Sequence, residues 1–259
     1  MVHSYEGVFL MFDMKILNKF TIVTGASTGI GRAIAIAIGK PGITVGLIAR
    51  SKTGLKETLS IIQKFGGSGK IFPLDLRDIP AIYALAQQIK KELGEIHILA
   101  NVAGVYHNSQ KAFYNIPFEK YSKEEILNIY GVGTNGTTFL THALLPIMKR
   151  GSHIINLSGT FENGNSGWLP YYVSKRAIED FTVGLAQELA PKGIFVNCVS
   201  PSDTATETYK TFFPEYYDEA MDPKKIGEFV VELCAKKEPP TGKVFVLKKD
   251  VTPYEAFHT

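Results

Sequence analysis

Phe20-Thr-Ile-Val-Thr-Gly-Ala-Ser-Thr-Gly-Ile-Gly-Arg-Ala-Ile-Ala-Ile-Ala-Ile38 opens with a β-branched run, passes through a glycine-rich turn and continues into a stretch of Ala and Ile. Residues 20–24 suit a pleated, buried strand. The run after Gly31 has helical composition. Strand, turn and helix in that order place the unpaired N–H groups of a helix start beside the end of a strand, where a phosphate is held. Gly25, Gly29 and Gly31 allow the tight turn, and Ser27, Thr28 and Ile30 complete the candidate phosphate loop. The spacing is Gly-x-x-x-Gly-x-Gly, a variant of the more familiar Gly-x-Gly-x-x-Gly pattern.

The same alternation runs outward from this stretch. Pro41-Gly42 breaks the chain before a second apolar strand over 43–48, and 52–65 carries Leu55, Leu59 and Ile62 at helical spacing. Strands are expected at 70–74, 96–100, 153–157, 194–199 and 244–247, and helices at 79–93, 123–148, 171–190 and 223–236. Repeated βα units predict an α/β fold, a parallel sheet of about seven strands with helices on both faces, in a single domain over 18–259. The segments 106–121, 159–170 and 202–222 carry little pattern. Each begins just after a predicted strand, the edge where open α/β sheets bind ligands.

Composition narrows the function classes. The chain has 259 residues, 45% hydrophobic and 20% charged, with a net charge of +3 spread along its length, which argues against nucleic acid as a partner. Its cysteines, Cys198 and Cys234, form no paired spacing and no Cys/His cluster, so neither a disulfide framework nor a zinc site is expected, and a reducing cytoplasm fits. The apolar run 8–12 is short, lacks a basic leader and is interrupted by Asp13, so no signal or membrane segment is read there. Residues 1–17 are an amino-terminal extension, with a natural start expected near Met14.

The chemistry concentrates in Leu169-Pro-Tyr-Tyr-Val-Ser-Lys175. On a helix, Tyr171 and Lys175 share one face, so an ammonium beside the phenol is expected to favour its ionised form. A phenol that ordinarily titrates near pH 10 then becomes a usable proton donor or acceptor closer to neutrality, each tenfold gain in acidity corresponding to roughly 1.4 kcal/mol. Ser158 lies thirteen residues before Tyr171, whereas Tyr172 has the wrong spacing to both partners.

With these motifs in this order, the chain resembles the classical short-chain dehydrogenases/reductases from about residue 19 to residue 247. The resemblance implies a Rossmann-like, doubly wound sheet and a nicotinamide cofactor. In the mechanism it implies, Tyr171 protonates a carbonyl oxygen as hydride arrives, or takes the alcohol proton in reverse. Ser158 bonds the same oxygen, while Lys175 holds the nicotinamide ribose and lowers the tyrosine pKa. Asn101-Val-Ala-Gly104 resembles the family's Asn-Asn-Ala-Gly element, which makes Asn101, Ala103 and Gly104 cofactor contacts. Asp75 resembles the adenine-contacting acid, with Leu76 beside it, although capping the next turn is an equally open role. Where NAD-preferring relatives carry an acid, this chain has Ala49 followed by Arg50, so NADP(H) is favoured over NAD(H). The other reading of Arg50 is a solvated strand-end residue. Pro201 and Thr206 match the carboxamide-contacting segment, with Thr204 as a nearby alternative.

Three departures stand against the family pattern. The place of the catalytic Asn is Gly133, and Asn135, two residues on, points roughly 200° away on a regular helix unless the cluster 131–136 is bulged. Ser202 replaces the Gly that usually follows Pro201, and the last strand lacks the usual Gly-Gly. Aromatic residues Tyr209, Phe212, Phe213, Tyr216 and Tyr217, with Trp168, suit a substrate lid over 202–222 or a subunit interface. The resemblance implies a small carbonyl or alcohol substrate and a homodimer or homotetramer. The expected function is NADP(H)-dependent interconversion of a ketone or 3-oxo group and a secondary alcohol. The rival is an NADP(H)-binding sensor or structural subunit with little chemistry.

Overall fold

The computed structural model describes residues 19–161 and 165–258. The amino-terminal extension and the expected start near Met14 lie outside the described residues. β1 (Lys19–Thr24) pairs in parallel with β2 (Ile43–Ala49) on one side and β4 (Ile96–Asn101) on the other. With β3 (Ser68–Pro73), β5 (Met148–Leu157), β6 (Phe195–Pro201), β7 (Lys243–Leu247) and the short β8 (Tyr254–Glu255), the sheet order is β3-β2-β1-β4-β5-β6-β7-β8. Strands are added outward in one direction from β1 to β3 and in the other from β4 onward. That switch point opens a crevice at the carboxyl ends of the strands, where the glycine-rich turn also lies.

The side-chain alternation of β1 shows why both faces are covered. Ile22 packs into one core and Val23 into the other, as the two-residue period of a strand requires. On the Val23 face lie α1 (Gly29–Ile38), α2 (Lys52–Lys64) and α8 (Pro223–Ala235), through Ile34, Leu55 and Ile226. On the Ile22 face lie α3 (Ile79–Leu93), α4 (Lys123–Tyr130), α5 (Thr137–Leu144) and α6 (Leu169–Leu189), through Ile82, Ile129, Leu140 and Leu189. Local chemistry starts several of these helices. Ser51 and Asp78 cap α2 and α3, and Ser122 with Glu125 forms a reciprocal capping box at α4.

The sheet has eight strands rather than about seven. The extra strand, β8, pairs antiparallel with β7 after the chain reverses, and two residues carry no periodic signal of their own. The long helix expected over 123–148 is instead divided. Gly131–Gly136 forms a π-helix between α4 and α5, and a 3₁₀ turn over Leu145–Ile147 leads into β5. Three glycines weaken the α-helical preference of that segment, and the wider turn takes up an extra residue. The exception allowed for the cluster 131–136, a bulged backbone, is therefore the one found. Residues 202–222 contain α7 (Glu207–Phe212) and a 3₁₀ turn over Pro214–Glu219.

At the amino-terminal ends of the strands, opposite the crevice, a cavity of about 30 Å³ is bounded by Lys19, Thr21, His97, His153 and Cys234 among others. His153 is 6% exposed and stacks on Phe195 at 5.2 Å, and among the described residues its Nδ1 and the Thr21 hydroxyl find no hydrogen-bond partner. Burial, with the Lys19 charge adding to it, pushes the His153 imidazole down to about 4. The folded state thus binds this proton less readily than the unfolded chain. The contribution to stability is complete above about pH 6.5 and is lost as pH falls towards 4, by up to about 3 kcal/mol. Urea unfolding at pH 7 and pH 4.5 is expected to show a larger acid loss for the wild type than for His153→Gln. Equal losses would remove His153 as the cause.

Candidate active site

The turn after β1 is built by close backbone approach. Gly25 has φ +65° and Gly29 φ +55°, conformations open to glycine at little cost. A Cβ on Gly31 would stand 2.2 Å from the Gly25 carbonyl oxygen, so only glycine lets α1 begin directly under the turn. Thr28 precedes α1 in extended conformation, and its side chain makes no cap hydrogen bond. The first N–H groups of α1 therefore point at the crevice without an intrahelical partner, the arrangement that accepts a phosphate. Ser27 and Ile30 flank these positions, with the Ser27 carbonyl accepting from Arg32 Nη2. A Cβ on Gly29 would lie 3.2 Å from Thr206 Cγ2, so Thr206 covers the turn from the other side. Thr206 also caps α7, accepting from Tyr209 N at 3.1 Å. Thr204 is buried, and its hydroxyl donates to the Ser202 carbonyl at 2.8 Å. Ser202 lies outside the left-handed region, and its N–H donates to Leu247 O at 2.8 Å, so the segment after Pro201 follows a path that needs no glycine.

Thr24, the last residue of β1, joins the turn to the segment after β4. Its Oγ1 accepts from Val102 N at 2.9 Å and Ala103 N at 3.1 Å. Gly104 approaches Lys175, whose Nζ would lie 3.2 Å from a Cβ at that position. Asn101, expected as a cofactor contact, ends β4 at the crevice edge of the sheet. Its buried amide donates to Thr141 Oγ1 and Asn156 Oδ1, both at 2.9 Å, and so ties β4 to β5 and α5. At the far end of the crevice, Asp75 takes the turn-capping role, accepting from Arg77 N at 3.0 Å and pairing with its guanidinium. Arg77 first, and Arg50 more weakly, hold the Asp75 carboxyl below its ordinary range. Leu76 packs on the π-helical segment at Gly136.

Tyr171 and Lys175 lie on one face of α6 as the spacing requires, with Lys175 Nζ 5.5 Å from the centre of the Tyr171 ring. Lys175 is 3% exposed and donates to Leu157 O at 2.9 Å. The expected electrostatics are corrected here. Burial, with nearby Tyr106 and Asp203 adding to it, pushes the Tyr171 phenol above its ordinary value. Burial likewise takes Lys175 down to about 8, against the smaller opposing influence of Cys198 and Glu179. In the protein alone, desolvation outweighs the attraction that the four-residue spacing suggested.

Ser158 departs from expectation as well. It is 2% exposed, and its hydroxyl donates to Glu179 Oε1 two helical turns beyond Tyr171. Among the described residues no hydrogen bond joins it to the Tyr171 hydroxyl. Glu179 escapes the motifs of the sequence, although the face that selects Tyr171 and Lys175 continues to it at the next four-residue step. Gly133 is buried against Ser174, with a notional Cβ 3.4 Å from Ser174 Oγ, and Asn135 is exposed. Around Tyr171 stand Trp168 at 5.8 Å, Phe161 at 5.9 Å and Tyr106 at 6.0 Å, centroid to centroid. Phe213 joins them through Trp168 and Tyr209, which brings the 202–222 segment onto the crevice. His107 lies tilted against Phe212, and its Nδ1 pairs with Asn108 O.

A dinucleotide-type turn at the switch point of a doubly wound sheet, beside a tyrosine and a lysine on one helix face, defines a nicotinamide-type oxidoreductase fold. Residues 19–216 match the short chain dehydrogenase family, and the chain belongs to it. It is 33% identical over 241 residues to the ketoacyl reductase HetN of Nostoc sp., covering 91% of this chain and 80% of that protein. It is 34% identical over 201 residues to the uncharacterized oxidoreductase YhxD of Bacillus subtilis, covering 76% of this chain and 64% of that one. A dehydrogenase/reductase from Sinorhizobium meliloti superposes with a TM-score of 0.82 at 26% identity, over 92% of this chain and 97% of that one. Among the described residues no helix is long and apolar enough to cross a membrane.

Gly31→Ala tests the fit of this turn to a pyrophosphate. The added methyl collides with backbone, so NADPH affinity is expected to fall at least about tenfold by titration of reduced-nicotinamide fluorescence. An unchanged affinity in a folded variant would remove the turn from the cofactor site.

Proposed function

We propose that this protein is an NADP(H)-dependent oxidoreductase that interconverts a ketone or 3-oxo group and a secondary alcohol, with Tyr171 as general acid/base. The observation that carries this reading is the Tyr171 phenol at the crevice edge, four residues from a buried Lys175 and surrounded by aromatic rings. Bound NADP(H) supplies or accepts the hydride. The Tyr171 phenol is protonated near neutrality; it gives this proton to a carbonyl oxygen in reduction and recovers one from the alcohol in the reverse reaction. Lys175 is held by Leu157 O and adjoins Gly104, and in this reading it donates to the nicotinamide ribose. The rings of Trp168, Phe161 and Tyr106, with 202–222 as a lid, exclude water and accept an apolar substrate.

Support for the phosphorylated dinucleotide comes from charge. The end of β2 carries Arg50 and no acid, and Arg77 stands across Asp75 from it. A guanidinium accepts a 2′-phosphate in a bidentate way. The name ketoacyl reductase, printed for one relative, and 3beta-hydroxysteroid dehydrogenase, printed for a relative from Mediterraneibacter gnavus that is 28% identical over 261 residues, agree with oxo/hydroxy chemistry. Gly133 and the commitment of Ser158 to Glu179 favour the second reading, a nucleotide-binding protein with slow chemistry.

Turnover is measured by loss of NADPH absorbance with acetoacetyl-CoA, a 3-oxosteroid, cyclohexanone and an aryl ketone. Tyr171→Phe is expected to lower kcat by at least about 100-fold while leaving NADPH affinity within threefold. Undiminished turnover would eliminate Tyr171 as the acid, and NADPH binding without turnover across the panel would leave the second reading. Arg50→Ala is expected to lower kcat/KM for NADPH about tenfold with little change for NADH. A wild-type preference for NADH would reverse the cofactor assignment.

A further inference from the structure

Lys175 and Arg176 are consecutive residues of α6, and both are buried, at 3% and 7% exposure. Two cations taken out of water side by side repel one another unless an anion lies between them. The acid that α6 supplies is Glu179, at 0% exposure, four residues from Lys175 and three from Arg176. Both steps keep side chains on one side of a helix. Arg176 Nη1 donates to both Glu179 oxygens at 2.9 Å. The N–H of His258, near the carboxyl terminus, donates to Oε2 at 2.8 Å, and the Ser158 hydroxyl donates to Oε1. Lys175 Nζ donates to Leu157 O at 2.9 Å. The ammonium and the carboxylate are therefore bonded to consecutive residues at the end of β5, and the carboxylate acts on the ammonium across one peptide unit.

The other titratable groups around Lys175 bring no charge to it near neutrality. Burial pushes the Cys198 thiol of β6 and the Tyr171 phenol above their ordinary values, so both stay protonated at pH 7. Asp203, across the crevice, acts on the Tyr171 phenol, and Asp180 is 62% exposed and faces His258 Nε2 at 3.3 Å. With Lys175 brought down to about 8 by burial, a further change of one pH unit decides whether it is an ammonium at all near neutrality. We propose that Glu179 is the shared counterion of Lys175 and Arg176 and, through Lys175, a positioning residue for the cofactor: it keeps the ammonium beside Gly104 charged at neutral pH. The inference rests on the proposed oxidoreductase reading for the contact of Lys175 with the ribose, and on the geometry alone for the counterion.

The test follows Lys175 itself in the full chain without cofactor, by NMR titration of lysine labelled with ¹³C at Cε, the signal being the one lost in Lys175→Met. Glu179→Gln keeps an acceptor for Ser158 and Arg176 but removes the charge, and Lys175 is expected to titrate at least about one pH unit lower than in the wild type. Arg176→Met leaves the carboxylate to Lys175 alone, and a shift in the opposite direction is expected. A general loosening of the helix would move both variants the same way. NADPH affinity, read by reduced-nicotinamide fluorescence, should follow the ammonium. Glu179→Gln is expected to bind about threefold more weakly than the wild type at pH 7.5 and within about twofold of it at pH 6.5, where the lysine is charged again. An unmoved lysine in either folded variant, or shifts of one sign in both, would overturn the counterion. Lysine shifts without the matching change in affinity would overturn the cofactor role. If neither variant folds, the wild type decides: an ammonium at pH 7 upholds the proposal and a neutral Lys175 overturns it. Failure of the oxidoreductase reading has a different signature, NADPH binding with no turnover across the ketone panel, and leaves the lysine titration as it is.

Discussion

A buried ammonium sits where three parts of the crevice meet. Lys175 projects from α6, donates to the carbonyl at the end of β5 and lies against Gly104 just after β4. Taking a charge out of water is costly, and the lysine responds by titrating at about 8. Its place is tolerable because a carbonyl at the strand end accepts from it and because Gly104 presents no side chain. Any displacement of α6 along the sheet would leave the ammonium unpaired. The helix is therefore fixed at the height that sets Tyr171 at the rim and Glu179 beneath it.

The same helix face carries a graded series of polar groups. Tyr171 stands at the edge of the crevice, Lys175 just inside, Glu179 in the interior and Thr182 deeper still, where it accepts from Asn156. Asn156 accepts from Asn101, which also donates to Thr141 of α5. These buried contacts cross-link β4, β5, α5 and α6. They orient the site from within, with the Asn101 amide held between β5 and α5.

Much of this is legible in the chain. Alternation of β-branched runs with apolar periodicity locates seven strands of the sheet, and the Tyr171 to Lys175 spacing alone places two side chains on one face. The glycine turn is legible because its conformations are open to so few residues. The π-helical segment is visible only as an unusual density of glycines at 131–136, since a change in hydrogen-bond step leaves no periodic mark. The direction in which Tyr171 titrates is not legible at all. Spacing reveals which charges are near one another, whereas desolvation depends on what covers them, here Trp168, Phe161 and Tyr106 from other parts of the chain.

Local sequence by itself determined the order of strands and helices, the phosphate-type turn and the stacking of functional residues along α6, because each of these follows from backbone preference and helical or strand period. Tertiary structure alone decided which of two neighbouring interactions each polar group makes. Asn101 turned to Thr141 and Asn156, and Ser158 to Glu179. The physical reason is that a hydroxyl or amide proton goes to the acceptor that packing brings within about 3 Å, and that distance is set by contacts between segments far apart in the chain.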